Sequence, residues 1–290
     1  MMELKIGFIG LGVMGKPMAE HIKNAGHELY VYTRTKEKCL DLLEKGAIWC
    51  NDVAECARCS DVMVTMIGFP KDVEEVYFGK DGVIENMKEG SIMIDMTTTS
   101  PKLSQRIYEE AQKRGLHSLD APVSGGDKGA KEATLAIMVG GDQEIFEKMK
   151  PLLSVMGTNV IYEGEAGAGQ HTKMANQIAI AGTLAGTVEA IAYGKKAGLD
   201  VQKMLDTIAN GAAGSWQLSN LGQKIIDGDF NPGFFIKHFV KDMRIADEEA
   251  LSRDLTLEVL EKVLSMETKM QEEGYGEEGT QGLAHYYENI

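Results

Sequence analysis

The chain has 290 residues, 43% hydrophobic and 26% charged, a length that suits two domains and a balance that excludes a disordered chain. Its formal net charge is −14 and its isoelectric point is near 5.0. No basic cluster of the kind a nucleic-acid face needs is present, so no nucleic-acid partner is expected. An acidic surface also obliges any anionic ligand to find a locally positive pocket.

From residue 4 to about 165, short apolar runs alternate with amphipathic segments, the pattern of a parallel sheet covered by helices. Strands are expected at KIGFIG (5–10), ELYVYT (28–33), DVMVTMI (61–67), SIMIDM (91–96), HSLDAP (117–122), TLAIMVGG (134–141) and NVIYEG (159–164). KPMAEHIKNAGH, between the first two, reads as a helix closed by Gly26. Beyond Gly169 only helical periods remain, broken by GLD, NGAAGS, GDFNPG and GYGEEG. The expected fold is a doubly wound α/β domain over 1–165 followed by an all-α domain over 166–290, which would carry substrate and subunit contacts. GEAGAGQ marks the boundary.

MANQIAIAGTLAGTVEAIAYG (174–194) is long enough to raise a membrane span, but Asn176, Gln177 and Glu189 would sit inside the bilayer. It reads instead as a small-residue helix in a protein with no membrane contact. Gly182 and Gly186 allow close helix packing, and a homodimer or homotetramer is expected. Cys39, Cys50, Cys56 and Cys59 include one C-x-x-C, with no second pair or neighbouring histidine to complete a zinc site. No metal is expected, and NDVAECARCSD reads as a short helix. The glycine motif begins too early for a secretory leader, so a reducing cytoplasm is expected.

That motif carries the first chemistry. Gly10, Leu11, Gly12, Val13, Met14 and Gly15 stand between a strand and a helix, the context in which G-x-G-x-x-G holds a dinucleotide pyrophosphate. The first domain is therefore expected to be Rossmann-type. An NAD site places an acid at the end of the second strand to hold the ribose 2′-hydroxyl. Here Thr33 takes the acid's place, followed by Arg34 and Thr35. No carboxylate repels a 2′-phosphate and a guanidinium is at hand, so NADPH is expected over NADH.

DAPVSGG (120–126) follows a strand and offers the Ser124 hydroxyl with the unhindered amides of Gly125 and Gly126, suited to a carboxylate. In GAGQHTKMANQ (167–177), Lys173 lies about one turn into a helix, with Asn176 and Gln177 three and four residues on. An amine and an amide presented together suit protonation and orientation of a carbonyl. In NPGFFIKHFVKDM, Lys237 and Lys241 share one helical face.

GFIGLGVMGKPMA, DMTTTSP, DAPVSGG, GAGQHTKMANQ and FIKHFVKDM, in this order and spacing, resemble the β-hydroxyacid dehydrogenase family over essentially the whole chain, 4–287. The resemblance implies a catalytic lysine at Lys173, a substrate loop at Ser124, Gly125 and Gly126, and a substrate-orienting amide at Asn176 or Gln177. It also implies Thr98 beside the nicotinamide, Lys241 closing over the cofactor, and an adenosine-side loop at Met66 and Ile67. Within the family, DAPVSGGDKGA, KMANQ and GLAHYYENI look most like the members that reduce tartronate semialdehyde, with those acting on 3-hydroxyisobutyrate close by. Two positions depart from the family pattern: Gly68 stands where proline is common, and His21 where asparagine is common.

The implied reaction is NADPH-dependent reduction of a small 3-oxo carboxylic acid, with Lys173 as proton donor; in reverse the amine must be neutral, which burial between domains would favour. Oxidation of 3-hydroxyisobutyrate and reduction of glyoxylate or succinic semialdehyde are the alternatives in the same class. Thr33 counts against the NAD-dependent one. A decarboxylating phosphogluconate enzyme would need a larger helical domain. A non-catalytic dinucleotide-binding scaffold would be expected to lack Lys173.

Overall fold

The apolar runs become the strands of one sheet. In the computed structural model, which describes residues 4–288, they are β1 (Lys5–Ile9), β2 (Glu28–Tyr32), β3 (Ile48–Trp49), β4 (Val62–Thr65), β5 (Ile92–Asp95), β6 (His117–Asp120), β7 (Val123–Ser124), β8 (Leu135–Gly141) and β9 (Gly157–Gly164). The order is β3-β2-β1-β4-β5-β6-β8-β7, with β9 beside β8. Every neighbouring pair from β3 through β6 is parallel, as the alternation of strand and helix requires. The parallel pattern changes at β8, which runs antiparallel to β6 and β7 and parallel to β9. The 125–134 connection is shorter than the dozen or so residues a parallel crossover needs, so the chain returns antiparallel.

Between the strands lie α1 (Gly15–Asn24), α2 (Leu40–Glu44), α3 (Val53–Cys59), α4 (Pro70–Phe78), α5 (Val83–Asn86), α6 (Pro101–Lys113), α7 (Gly126–Glu132) and α8 (Gln143–Leu153). The central strands are buried on both faces. Val62 and Val64 of β4 and Ile92 and Ile94 of β5 enter one core, while Met63 and Met93 enter the other. Neither face meets water, so these strands read as continuous apolar runs rather than alternating ones.

This topology sets where a ligand can sit. Strand order reverses between β1 and β4, and doubly wound sheets take ligands in the crevice beyond the carboxyl ends of such strands. Because β1, β2, β4, β5 and β6 are mutually parallel, the segments 10–15, 33–35, 66–67, 97–99 and 121–126 all leave the same edge.

Contacts divide the chain between Lys173 and Met174, inside α9 (Ala168–Lys196). The second unit continues through α10 (Val201–Ile208), α11 (Trp216–Asp227), α12 (Ile236–Leu251), α13 (Glu258–Glu272) and α14 (His285–Glu288). Its breaks carry the expected punctuation. The Asp200 carboxylate accepts from Lys203 N–H at the start of α10 and the Ser215 hydroxyl from Leu218 N–H at the start of α11. Leu184, Val188, Leu205, Phe239, Met243 and Leu260 belong to its own core. Among the described residues, no helix is long and apolar enough to cross a membrane. Asn289 and Ile290, the end of GLAHYYENI, lie outside the described residues.

Candidate active site

The glycine loop leaves β1 under tight steric control. Gly10 has φ +97°, and a Cβ there would come within 2.2 Å of the Met66 carbonyl oxygen; one on Gly15 would come within 1.9 Å of the Gly10 carbonyl oxygen. Both positions therefore admit only glycine. Gly12 faces open space, with no heavy atom within 4 Å of a Cβ placed on it. No side chain caps the start of α1; Lys16 N–H donates to the Gly12 carbonyl oxygen and Met18 N–H to that of Met14, and Pro17 has no N–H. Leu11 is buried, Met14 is partly buried, and Val13 is 52% exposed. The loop fits a dinucleotide pyrophosphate. Its backbone can be approached closely at Gly12.

At the end of β2, Thr33 is partly buried and Thr35 exposed. The largely exposed Arg34 has Nη1 3.6 Å from Asp72 Oδ1, a surface pair worth about 1 kcal/mol or less that a phosphate could displace. Beyond β4, Met66 and Ile67 are half-buried, and Ile67 N–H donates to Thr97 Oγ1 at 2.9 Å. Thr98 is partly exposed between buried Thr97 and Thr99. Beneath them, Asp95 Oδ1 accepts from Thr65 Oγ1 at 2.8 Å and from Thr97 N–H at 3.1 Å. Burial pushes the Asp95 carboxyl up to about 6, against these hydrogen bonds.

Ser124 is partly exposed, Gly125 exposed and Gly126 partly exposed. Gly125 and Gly126 have φ +132° and +62°, conformations that L side chains resist. The short α7 that follows is held by His21 of α1, whose Nε2 lies 3.1 Å from both the Ala130 and Lys131 carbonyl oxygens. Carbonyls only accept, so this nitrogen carries the proton. The departure at His21 thus has a structural consequence: it caps the carboxyl end of the helix behind the 124–126 loop.

The same strand edge anchors α9. Asp120, at the end of β6, accepts from Gly167 N–H at 2.7 Å and Gln170 N–H at 2.9 Å. Burial pushes its carboxyl up, and these backbone donors oppose that shift. The carboxylate satisfies orphan donors at the start of the helix and suits its positive end. Lys173 follows one turn later and is 6% exposed.

In the second unit, Asn176 Nδ2 donates to Gln177 Oε1 at 2.7 Å, and Gln177 Nε2 to Asp242 Oδ2 at 2.7 Å. Lys241 Nζ lies 2.9 Å from Asp242 Oδ1. Asp242 is 1% exposed and ties together two side chains singled out from the sequence. Lys237, by contrast, pairs with Glu277. The roles of Asp242 and of His21, the latter noted in the sequence only as a departure from the family pattern, escaped the sequence reading because each acts on residues far along the chain, 65 and 109 positions away.

Cys39, Cys50 and Cys56 are buried free thiols and Cys59 is partly buried. The hydrogen bond with Cys50, together with burial, pushes the Cys56 thiol well up, which leaves it unreactive. Among the described residues, no three or more histidine, cysteine or acidic side chains are placed to hold a metal.

Two family models match. One, described as the NAD binding domain of 6-phosphogluconate dehydrogenase, covers residues 5–164. The other, described as NAD-binding of NADP-dependent 3-hydroxyisobutyrate dehydrogenase, covers 167–287. An uncharacterised oxidoreductase of Bacillus subtilis is 54% identical over 97% of this chain and 98% of its own. The 2-hydroxy-3-oxopropionate reductase of Escherichia coli is 39% identical over 88% of this chain and 87% of its own. The crystal structure of a 3-hydroxyisobutyrate dehydrogenase from Salmonella typhimurium superposes with a TM-score of 0.88 at 30% identity, covering 98% of this chain and 99% of that one. Fold, glycine loop and matches together define an NAD(P)-dependent oxidoreductase acting on the hydroxyl group of hydroxyacids. The chain belongs to the β-hydroxyacid dehydrogenase family.

Proposed function

We propose that this enzyme reduces a small 3-oxo carboxylic acid with NADPH, and that tartronate semialdehyde, reduced to glycerate, is its substrate. The observation that carries the reading is the gathering at one sheet edge of the 10–15 loop, Thr33 with Arg34, and the 124–126 loop, where Asp120 also anchors the helix bearing buried Lys173. When bound, the dinucleotide supplies hydride to the carbonyl carbon. The Ser124 hydroxyl and the Gly125 and Gly126 amides hold the substrate carboxylate. Lys173 donates a proton to the carbonyl oxygen as negative charge develops there, and its own charge stabilises that oxygen. By family resemblance, Asn176 and Gln177 orient the substrate, Thr98 lies beside the nicotinamide, Met66 and Ile67 flank the adenosine, and Lys241 closes over the cofactor.

The test is a panel of tartronate semialdehyde, methylmalonate semialdehyde, glyoxylate and succinic semialdehyde, each assayed with NADPH and NADH. The highest kcat/KM should fall to tartronate semialdehyde with NADPH; a clear preference for another acid reassigns the substrate, because neighbours differing by an atom or two are separated by only about 1–3 kcal/mol. Arg34→Ala should weaken NADPH and leave NADH nearly unchanged. Since hydrogen bonds to a charged group contribute about 1.5–3 kcal/mol when solvent is displaced and about 1 kcal/mol or less when fully exposed, NADPH affinity should drop by roughly 5-fold or more. Equal losses with both cofactors would remove Arg34 from the 2′-phosphate.

For the carboxylate loop, the methyl ester of the best substrate should turn over far more slowly than the free acid, and comparable turnover would sink the assignment. Gly125→Ala should raise KM, since a side chain at φ +132° strains the loop by about 1–2 kcal/mol.

The subunit reading is a homo-oligomer. It draws support from an exposed face of α9 bearing Ala175, Ala179, Thr183, Gly186 and Tyr193. Light scattering reads it directly, and a monomer at micromolar concentration would exclude it. A cytoplasmic location suits the free thiols and is tested by cell fractionation, where an extracytoplasmic protein would overturn it.

A further inference from the structure

Gln170 is completely buried and none of its hydrogen-bonding groups faces solvent. Its side-chain Nε2 donates to the Thr97 carbonyl oxygen at 2.8 Å, while Oε1 accepts from Thr99 N–H at 3.0 Å. The two bonds straddle Thr98, so one amide grips the backbone on either side of that residue. Its own backbone N–H donates to Asp120 Oδ2 at 2.9 Å. Gln170 thus joins three pieces, the segment after β5, the end of β6 and the first turn of α9. Lys173 lies three residues further on the same helix face, a rise of about 4.5 Å.

We infer that Gln170 is a positioning residue: its amide clamp on Thr97 and Thr99 sets the register between the Thr98 segment and the helix turn that presents Lys173. This rests on the proposed role of Lys173 and goes beyond it by assigning what fixes the distance between proton donor and hydride donor. The chemistry of the clamp is specific. It needs one donor and one acceptor at the end of a side chain of this length, a combination supplied by glutamine or by a protonated glutamic acid and not by a carboxylate. In small transfer steps, a misplacement of about 1 Å can cost on the order of 100-fold in rate.

The test is the pH dependence of Gln170→Glu. Protonated, the new side chain donates to Thr97 O and accepts from Thr99 N–H as glutamine does; ionised, it sets a carboxylate oxygen against the Thr97 carbonyl. The titratable groups nearest in the fold are Asp120 of β6, which accepts from the Gln170 backbone N–H, Asp95, its register partner on β5, and His171 and Lys173 on α9 itself. Complete burial favours the protonated form of the introduced side chain. The ratio of variant to wild-type kcat should therefore fall by at least about tenfold, along a single-proton curve, as pH rises from about 5.5 to 9, one lost buried hydrogen bond being worth roughly that factor. KM for the acid should move much less than kcat.

A flat ratio across that range overturns the inference. Gln170→Met, isosteric but without donor or acceptor, guards against misfolding: with a cooperative melt retained, it should lower kcat about tenfold at every pH, and wild-type kcat in this folded variant also overturns the inference. Failure of both variants to fold makes Gln170 a structural residue and overturns it too. Lys173→Met, assayed alongside, separates the two readings. If that variant keeps its kcat, the role of Lys173 fails; if it collapses while the Gln170→Glu ratio stays flat, only the positioning role fails.

Discussion

Lys173→Met is expected to lower kcat by at least about 100-fold, the lower range of what a positioned general acid contributes. In the proposed mechanism the ammonium acts only as the carbonyl oxygen gains charge, so kcat and kcat/KM should fall together while ground-state assembly is spared. NADPH affinity, followed by fluorescence titration, should change little, because the contacts proposed for the cofactor are the 10–15 loop and Arg34. Methionine keeps the length and apolar stem at a position 6% exposed, so the cooperative melt should survive. A variant retaining more than about a tenth of wild-type kcat would remove Lys173 from the chemistry. Joint loss of NADPH binding and of the melt would make it a structural residue.

Glu267→Met is expected to stabilise the protein, by an amount that grows with pH. Glu267 lies in α13, fully buried, and among the described residues neither of its carboxylate oxygens meets a hydrogen-bond partner. Burial pushes its carboxyl well above the ordinary value of 4.5, since the charged form has lost its water. The sign follows from linkage. Below the ordinary value Glu267 is protonated in both folded and unfolded chains. As pH rises past it, the folded state holds a proton that the unfolded state has released, and wild-type stability is lost until the folded group itself ionises.

The gain in the variant should thus be smallest near pH 4.5, the ordinary value, and reach about 1–3 kcal/mol at neutral pH, of order 5 °C in Tm. Melts of both proteins across this range give the answer. A Tm difference independent of pH, or destabilisation at neutral pH, would show that the buried carboxylate has found a partner on folding.

Local patterns in the chain carried the secondary structure a long way. Continuous apolar runs marked β1, β4 and β5 because both faces of these strands are buried, and helix breaks became caps at Asp200 and Ser215. The two-residue strands β3 and β7 were not legible, being too short to show any period. Nor was the reversal at β8, which depends on how the 125–134 connection returns to the sheet rather than on the apolar content of the strand.

The site divides in the same way. The sequence by itself determined which chemistry was on offer: a glycine loop after the first strand, no acid at Thr33, glycines beside Ser124, and a lysine early in α9. These are statements about backbone freedom and functional groups, and neighbours in sequence suffice to make them. What only the tertiary structure decided is how those groups are held. His21 reaches across 109 positions to cap α7, Gln177 across 65 to Asp242, and Gln170 across 73 to the Thr97 carbonyl. The physical reason is that most buried polar atoms are paired with whatever partner the fold brings to them, and sequence distance carries no information about which atom that will be.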